Sequence, residues 1–228
     1  MYRDKTVLCF ILARGGSKGV PRKNVKILCR KPLIAHSIDV AKKVKYIDAT
    51  YVSTEDNEIK QAAIKYGAKV IDRPKELATD TASYLDTVKH MIETIPIAKK
   101  NLFVVLLETT SPIRKISDVE QCIEMYDGQT DCVAAVREVK VHPNYMYKEK
   151  DGFLHSYEKL PIVKNRQEME KLYAYTGSIL VTTSDFIKKQ KKVVFGGRMK
   201  GYLLDEKQVI DIDTPLDFAI CEFLMTYD

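Results

Sequence analysis

The 228-residue chain carries 37 Lys and Arg against 31 Asp and Glu, a net charge of +6, with 45% apolar and 30% charged residues. That composition supplies the core of one α/β domain spanning residues 1–228, and no apolar run approaches the roughly 20 residues that cross a bilayer. Cations and acids are interspersed and the five cysteines include no C-x-x-C pair, which argues against a nucleic-acid partner, a zinc site and a disulfide framework. The opening apolar stretch is short and ends at Arg14, so the expectation is a chain with no signal peptide and no membrane partner, in the cytoplasm.

In chain order, strands are predicted at residues 6–12, 49–53, 69–72, 102–107, 132–136 and 178–182. Amphipathic helices are predicted between and after them, at 33–43, 57–66, 84–95, 116–126 and 215–225. The run from Leu102 to Leu107 is apolar throughout, as a strand covered on both faces must be. Alternation of this kind predicts a three-layer α/β/α nucleotide-binding domain with a mostly parallel central sheet. Ligands in such folds bind beyond the carboxyl ends of the strands. Cys9 and Cys132 fall inside the apolar strands and read as buried thiols. Residues 140–172 break the rhythm with His142-Pro143, several tyrosines and many charges, and read as an inserted arm.

The loop after the first strand carries the strongest signal: Leu12-Ala13-Arg14-Gly15-Gly16-Ser17-Lys18-Gly19-Val20-Pro21-Arg22-Lys23-Asn24. It matches neither the P-loop nor the dinucleotide glycine pattern. Its three glycines let the backbone close around an anion, and Arg14, Lys18, Arg22 and Lys23 supply four positive charges. A polyphosphate suits such a turn, and without one the four cations are expected to repel each other. A solvated basic turn is the alternative.

Near the end, Asp211 and Asp213 alternate with Ile210 and Ile212. On a strand, residues i and i+2 share a face roughly 7 Å apart, so both carboxylates converge on one cation while the isoleucines enter the core. Hard oxygen donors beside a polyphosphate call for Mg²⁺. Asp213 also precedes Thr214-Pro215 and an apolar helix, where it would serve as an N-cap.

The opening run resembles that of the CMP-sialic acid synthetases, the N-acylneuraminate cytidylyltransferases. Further motifs follow in register: Val52-Ser53-Thr54-Glu55-Asp56, Arg73-Pro74, Leu77-Ala78-Thr79-Asp80-Thr81-Ala82-Ser83, Thr110-Ser111-Pro112-Ile113-Arg114 and Ile210-Asp211-Ile212-Asp213. The resemblance implies a reaction of CTP with an acidic nine-carbon 2-keto-3-deoxy sugar, giving CMP-sugar and pyrophosphate. The anomeric hydroxyl would attack the α-phosphate. CTP would lie along Leu12, Ala13, Arg14, Lys18, Lys23, Asn24, Arg73, Ala82 and Ser83, with Arg73 and the Ala82 carbonyl reading cytosine. Arg14, Lys23, Asp211 and Asp213 would be catalytic, the two aspartates holding Mg²⁺. Glu108 and Arg166 would meet the sugar, and residues 140–172 would form the arm of a homodimer.

Three positions depart from the family pattern: Glu108 replaces a usual Gln, Thr176 an Asn, and Tyr84 a position where the family can carry Ser. A carboxylate cannot donate a hydrogen bond, so contacts to the sugar must differ. Legionaminic, pseudaminic or another nonulosonic acid is therefore expected beside N-acetylneuraminate. A cytidylyltransferase for an eight-carbon keto-deoxy sugar is a near alternative. A metal-dependent glycosyltransferase is a remoter one, because only fifteen residues follow Asp213.

Overall fold

The computed structural model describes residues 2–96, 102–157, 165, 167 and 169–227. The first strand, β1 (Val7–Leu12), runs into the basic loop, and a two-strand ribbon, β2 (Ile27–Leu28) and β3 (Lys31–Pro32), leads to helix α1 (Leu33–Lys43). Next come β4 (Ala49–Thr54), α2 (Asn57–Lys65), β5 (Lys69–Asp72), α3 (Tyr84–Thr94), β6 (Phe103–Leu107), α4 (Ile116–Met125) and β7 (Cys132–Glu138). A hairpin of β8 (Tyr147–Lys150) and β9 (Phe153–Ser156) follows. The chain then returns through β10 (Tyr173–Thr183), α5 (Ser184–Lys189), β11 (Met199–Leu203) and α6 (Pro215–Tyr227).

The large sheet has the order β11-β7-β10-β6-β1-β4-β5. All its pairings are parallel except the two made by β10, which runs against β6 and β7. Period-two burial divides β1 between two cores. Val7, Cys9 and Ile11 pack with Ile34 and Ile38 of α1 and Val119 of α4, whereas Leu8 and Phe10 pack with Val88 and Met91 of α3. Helices thus cover both faces, which makes the three layers. Cys9 and Cys132 are fully buried, as their sequence context predicts.

A third, smaller cluster sets up the site. Val20 from the basic loop, Leu28, Leu33, Ile212, Phe218 and Cys221 bury one another at the edge of the domain. Each such aliphatic side chain contributes about 1.5–3 kcal/mol when removed from water. Val20 and Ile212 therefore draw the basic loop and the acidic segment together.

The structure lengthens one expected strand, adds β2, β3, β8, β9, α5 and β11 to those expected, and corrects one reading. β10 starts five residues before residue 178 and carries a bulge between Tyr175 and Leu180, α5 follows it directly, and β11 closes the edge. Residues 210–214 are not a strand. They are held by a backbone hydrogen bond from Ile212 N to Thr110 O (2.9 Å), by Lys23 Nζ donating to Ile212 O (2.6 Å) and by burial of Ile212.

Candidate active site

The sheet changes direction of growth between β1 and β6: β4 and β5 are added on one side of β1, and β6 on the other. A crevice opens beyond the carboxyl ends at such a switch point. Here those ends deliver Leu12 and Arg14 from β1, Arg73 from β5 and Glu108 from β6, and a cavity of about 250 Å³ is lined by these four together with Asp80 and Ala82. Leu12, Arg14, Arg73 and Ala82, far apart in the chain and expected at the nucleotide, thus face one cavity, while Ala13, Lys18, Lys23 and Asn24 do not line it. Ser83 flanks it, but its hydroxyl accepts from Asp86 N (3.2 Å) and caps α3.

Arg73 is 7% exposed. Its Nε donates to Ser53 Oγ (3.1 Å) and its Nη2 to Ser53 O (2.7 Å), so the end of β4 holds the guanidinium in place. Burial lowers its pKa, opposed by the charge of Glu55, and an arginine keeps its proton regardless. Ser53 engages only two of the five guanidinium donors.

The basic loop does not repel itself, contrary to expectation. Arg14 Nη1 and Lys18 Nζ share the carboxylate of Asp80 at 2.8 and 2.5 Å, and Arg22 pairs with Asp56 (2.5 Å) and Glu58 (2.5 Å). Acids on neighbouring connections neutralise the cations. Arg22, in the left-handed region with φ 55°, belongs to this scaffold, and its guanidinium holds the Asp56 carboxyl below the usual range. Glu55 Oε1 accepts from Gly15 N (2.7 Å). Asn24 is 5% exposed; its amide donates to Arg14 O (2.9 Å) and accepts from Thr109 Oγ1 (2.7 Å). Its amide therefore spans the backbone ends of β1 and β6, and in this arrangement it orients Arg14.

The acidic doublet meets the same loop. Lys23 Nζ donates to Ile212 O (2.6 Å) and lies 3.5 Å from Asp213 Oδ1. The approach is so close at Gly19 that a Cβ there would lie 2.0 Å from Asp213 O. Asp213 is not the cap of α6. Thr214 caps it instead, since its Oγ1 accepts from Asp217 N (3.2 Å) while Asp217 Oδ2 accepts from Thr214 N (2.7 Å). The Asp213 carboxylate stays at the rim of a cleft of about 720 Å³ shared with Asp211, Tyr175, Thr176 and Arg137. Desolvation raises the Asp211 carboxyl, Asp213 adds to the rise, and a hydrogen bond from Thr110 and the charge of Lys23 oppose it. Among the described residues no group of three or more His, Cys, Asp or Glu side chains could hold a metal. Two hard carboxylates open to a cleft fit an ion such as Mg²⁺, which completes its shell with water and phosphate oxygens.

Glu108 and Tyr84 stand between the cavity of about 250 Å³ and a smaller one of about 150 Å³, lined also by Tyr175, Val194 and Phe195. Burial raises the Glu108 carboxyl, while a hydrogen bond from the Tyr84 hydroxyl pulls it down. Sequence reasoning gave Arg114 no role. It is 7% exposed, donates to Ser178 O (2.7 Å), Glu108 O (2.8 Å), Ser178 Oγ (3.2 Å) and Ser37 Oγ (3.2 Å), and is lowered to about 10 by burial. It ties α1, β6 and β10 beneath Glu108. The Thr-Ser-Pro-Ile-Arg run marks the residue, but nothing in that spelling shows that the arginine points inward. Arg166 lies outside the described residues.

The sequence matches the cytidylyltransferase family over residues 8–221. The chain belongs to that family. This cytidylyltransferase is 32% identical to the CMP-N,N'-diacetyllegionaminic acid synthase of Legionella pneumophila, with 96% of each chain covered. It is 31% identical to the pseudaminic acid cytidylyltransferase of Campylobacter jejuni, with 95% of each covered. These relatives place the cytidylyltransferase among the CMP-nonulosonic acid synthetases. Its fold superposes on CMP:2-keto-3-deoxy-manno-octonic acid synthetase complexed with CTP at a TM-score of 0.75, covering 97% of this chain and 99% of the other at 17% identity. That last likeness concerns the fold.

Proposed function

We propose that this cytidylyltransferase condenses CTP with a nonulosonic acid, releasing pyrophosphate and leaving CMP on the anomeric oxygen. The observation that carries the reading is the contact of Lys23 with Ile212 O and Asp213, which sets the acidic doublet beside the cationic loop. Arg73 donates to the O2 and N3 acceptors of cytosine, and the Ala82 carbonyl accepts from its amino group, a pattern that uracil does not match. Arg14, Lys18 and Lys23 offset the charge that builds on the phosphate oxygens as the α-phosphorus is attacked. Asp211 and Asp213 hold Mg²⁺, which when bound neutralises phosphate charge. The sugar occupies the side lined by Glu108, Tyr84 and Tyr175. Glu108 accepts from sugar N–H or O–H groups where a glutamine could also donate.

A homodimer in the cytoplasm belongs to the same reading. The β8–β9 hairpin presents Phe153 and Leu154 at 71% and 70% exposure, and α6 presents Leu216 and Phe223, apolar surface of the kind that a partner covers. Pyrophosphate release with CTP, Mg²⁺ and a panel of nonulosonic acids tests the activity, with an eight-carbon keto-deoxy sugar as control. Release above background for one nine-carbon acid is expected. Release with the eight-carbon sugar alone would reassign the substrate, and release with none would overturn the reading. Sedimentation tests the dimer.

A further inference from the structure

The acid that neutralises Arg14 and Lys18 differs from the others around the loop. Asp56 caps α2 through Ile59 N as well as binding Arg22, and Glu55 holds the backbone of Gly15, so both brace the scaffold. Asp80 does not: among the described residues its side chain bonds only Arg14 Nη1 (2.8 Å) and Lys18 Nζ (2.5 Å). One carboxylate oxygen goes to each cation, as two oxygens of a phosphate would. Asp80 lines the cavity that holds Arg14, Arg73 and Ala82, and it sits two residues before Ala82 on the same connection.

We propose that Asp80 is an internal stand-in for the polyphosphate: it occupies Arg14 and Lys18 until a nucleotide arrives, and the phosphates displace it. The inference rests on the nucleotide reading above and adds a residue that this reading does not use. Three physical points support it. Both ion pairs are solvent-accessible, with side-chain exposure of 34% and 45% in one and 78% and 45% in the other, so they are weak enough to exchange. Hydrogen bonds from Lys18 and Arg14, reinforced by their charges, hold the Asp80 carboxyl below the ordinary range, so it is ionised and competes at neutral pH. A triphosphate brings several charges against one, and wins. Because Asp80 and Ala82 share a short connection, seating the base and freeing the cations move the same piece of chain. When pyrophosphate leaves, the return of Asp80 to Arg14 and Lys18 assists its departure.

The test compares the wild type with Asp80→Asn and Asp80→Glu, measuring affinity for CTP, inorganic tripolyphosphate and cytidine by calorimetry at two salt concentrations. Loss of the internal anion should tighten CTP and tripolyphosphate binding about fivefold and steepen its salt dependence. Asp80→Glu should stay near the wild type, and cytidine, which has no phosphate, should bind all three proteins alike. Unchanged or weaker tripolyphosphate binding by Asp80→Asn would overturn the proposal. So would an equal gain for cytidine, because Asp80 would then act on the loop as a whole. A wild type that binds tripolyphosphate but not CTP would instead overturn the nucleotide reading and leave the phosphate comparison standing.

Discussion

The side of the crevice proposed for the nucleotide and the side proposed for the sugar are built differently. On the nucleotide side, four parallel strands end together, and each is followed by a short run whose side chains act within a few residues of the strand end: Arg14 after β1, Glu55 after β4, Arg73 after β5, Thr109 after β6. On the side proposed for the sugar, the wall comes from a reversed strand, β10, with its bulge between Tyr175 and Leu180, and from side chains such as Tyr84 and Phe195 that belong to separate segments of the chain. A strand end followed by a motif is a local object, and its sequence announces it. A wall assembled from distant segments has no such signature.

The difference suggests where substitutions act through chemistry and where through specificity. The largest effect is expected for Asp211→Asn, which removes half of the proposed metal-holding pair: kcat should fall about 10²–10³-fold while thermal unfolding stays near the wild type. A near-normal kcat would detach the doublet from the nucleotide side. Gly19→Ala places a Cβ 2.0 Å from Asp213 O, so it should cost about 3 kcal/mol of stability, measured by denaturant unfolding, and loosen the junction between loop and doublet. An unchanged midpoint would mean the two segments part without penalty.

Arg73→Ala should raise KM for CTP by the equivalent of about 2 kcal/mol through lost charged hydrogen bonds, with KM for the sugar unchanged. A shift in the sugar KM of the same size would erase the boundary between the two sides. Glu108→Gln is expected to be the mildest, about 1 kcal/mol of relative kcat/KM in favour of N-acetylneuraminate across the sugar panel. Identical sugar profiles would remove Glu108 from the specificity wall.

Legibility follows the same division. Asp56 and Ser83 stand just before the helices they cap, and the apolar pattern of β1 and β6 matches burial on both faces. The β8–β9 turn is legible in hindsight: Asp151-Gly152, with φ of 54° and 80°, is a two-residue hairpin signal inside the arm. β11 is not legible, since Met199–Leu203 is mostly exposed and its alternation is interrupted by Gly201. Reading residues 210–214 as a strand misleads because isoleucine alternation records burial of every second side chain, which an irregular segment with a buried Ile212 also satisfies. The arginines show the limit most clearly. Arg14, Arg22, Arg73 and Arg114 are the same residue type in basic or polar runs, yet Arg14 holds Asp80, Arg22 braces α2, Arg73 lines the cavity, and Arg114 is buried beneath Glu108.

The order of residues alone determined the alternating layers and which strand ends carry charge, because those depend on side-chain periodicity and on neighbours a few positions away. Tertiary packing decided which cations face the crevice and which are already paired. It also decided that Thr214 rather than Asp213 caps the last helix, and that the acidic doublet lies against Lys23. An ion pair depends on distance through space, and only the burial of Val20 and Ile212 in one cluster brings together charges some 190 positions apart in the chain.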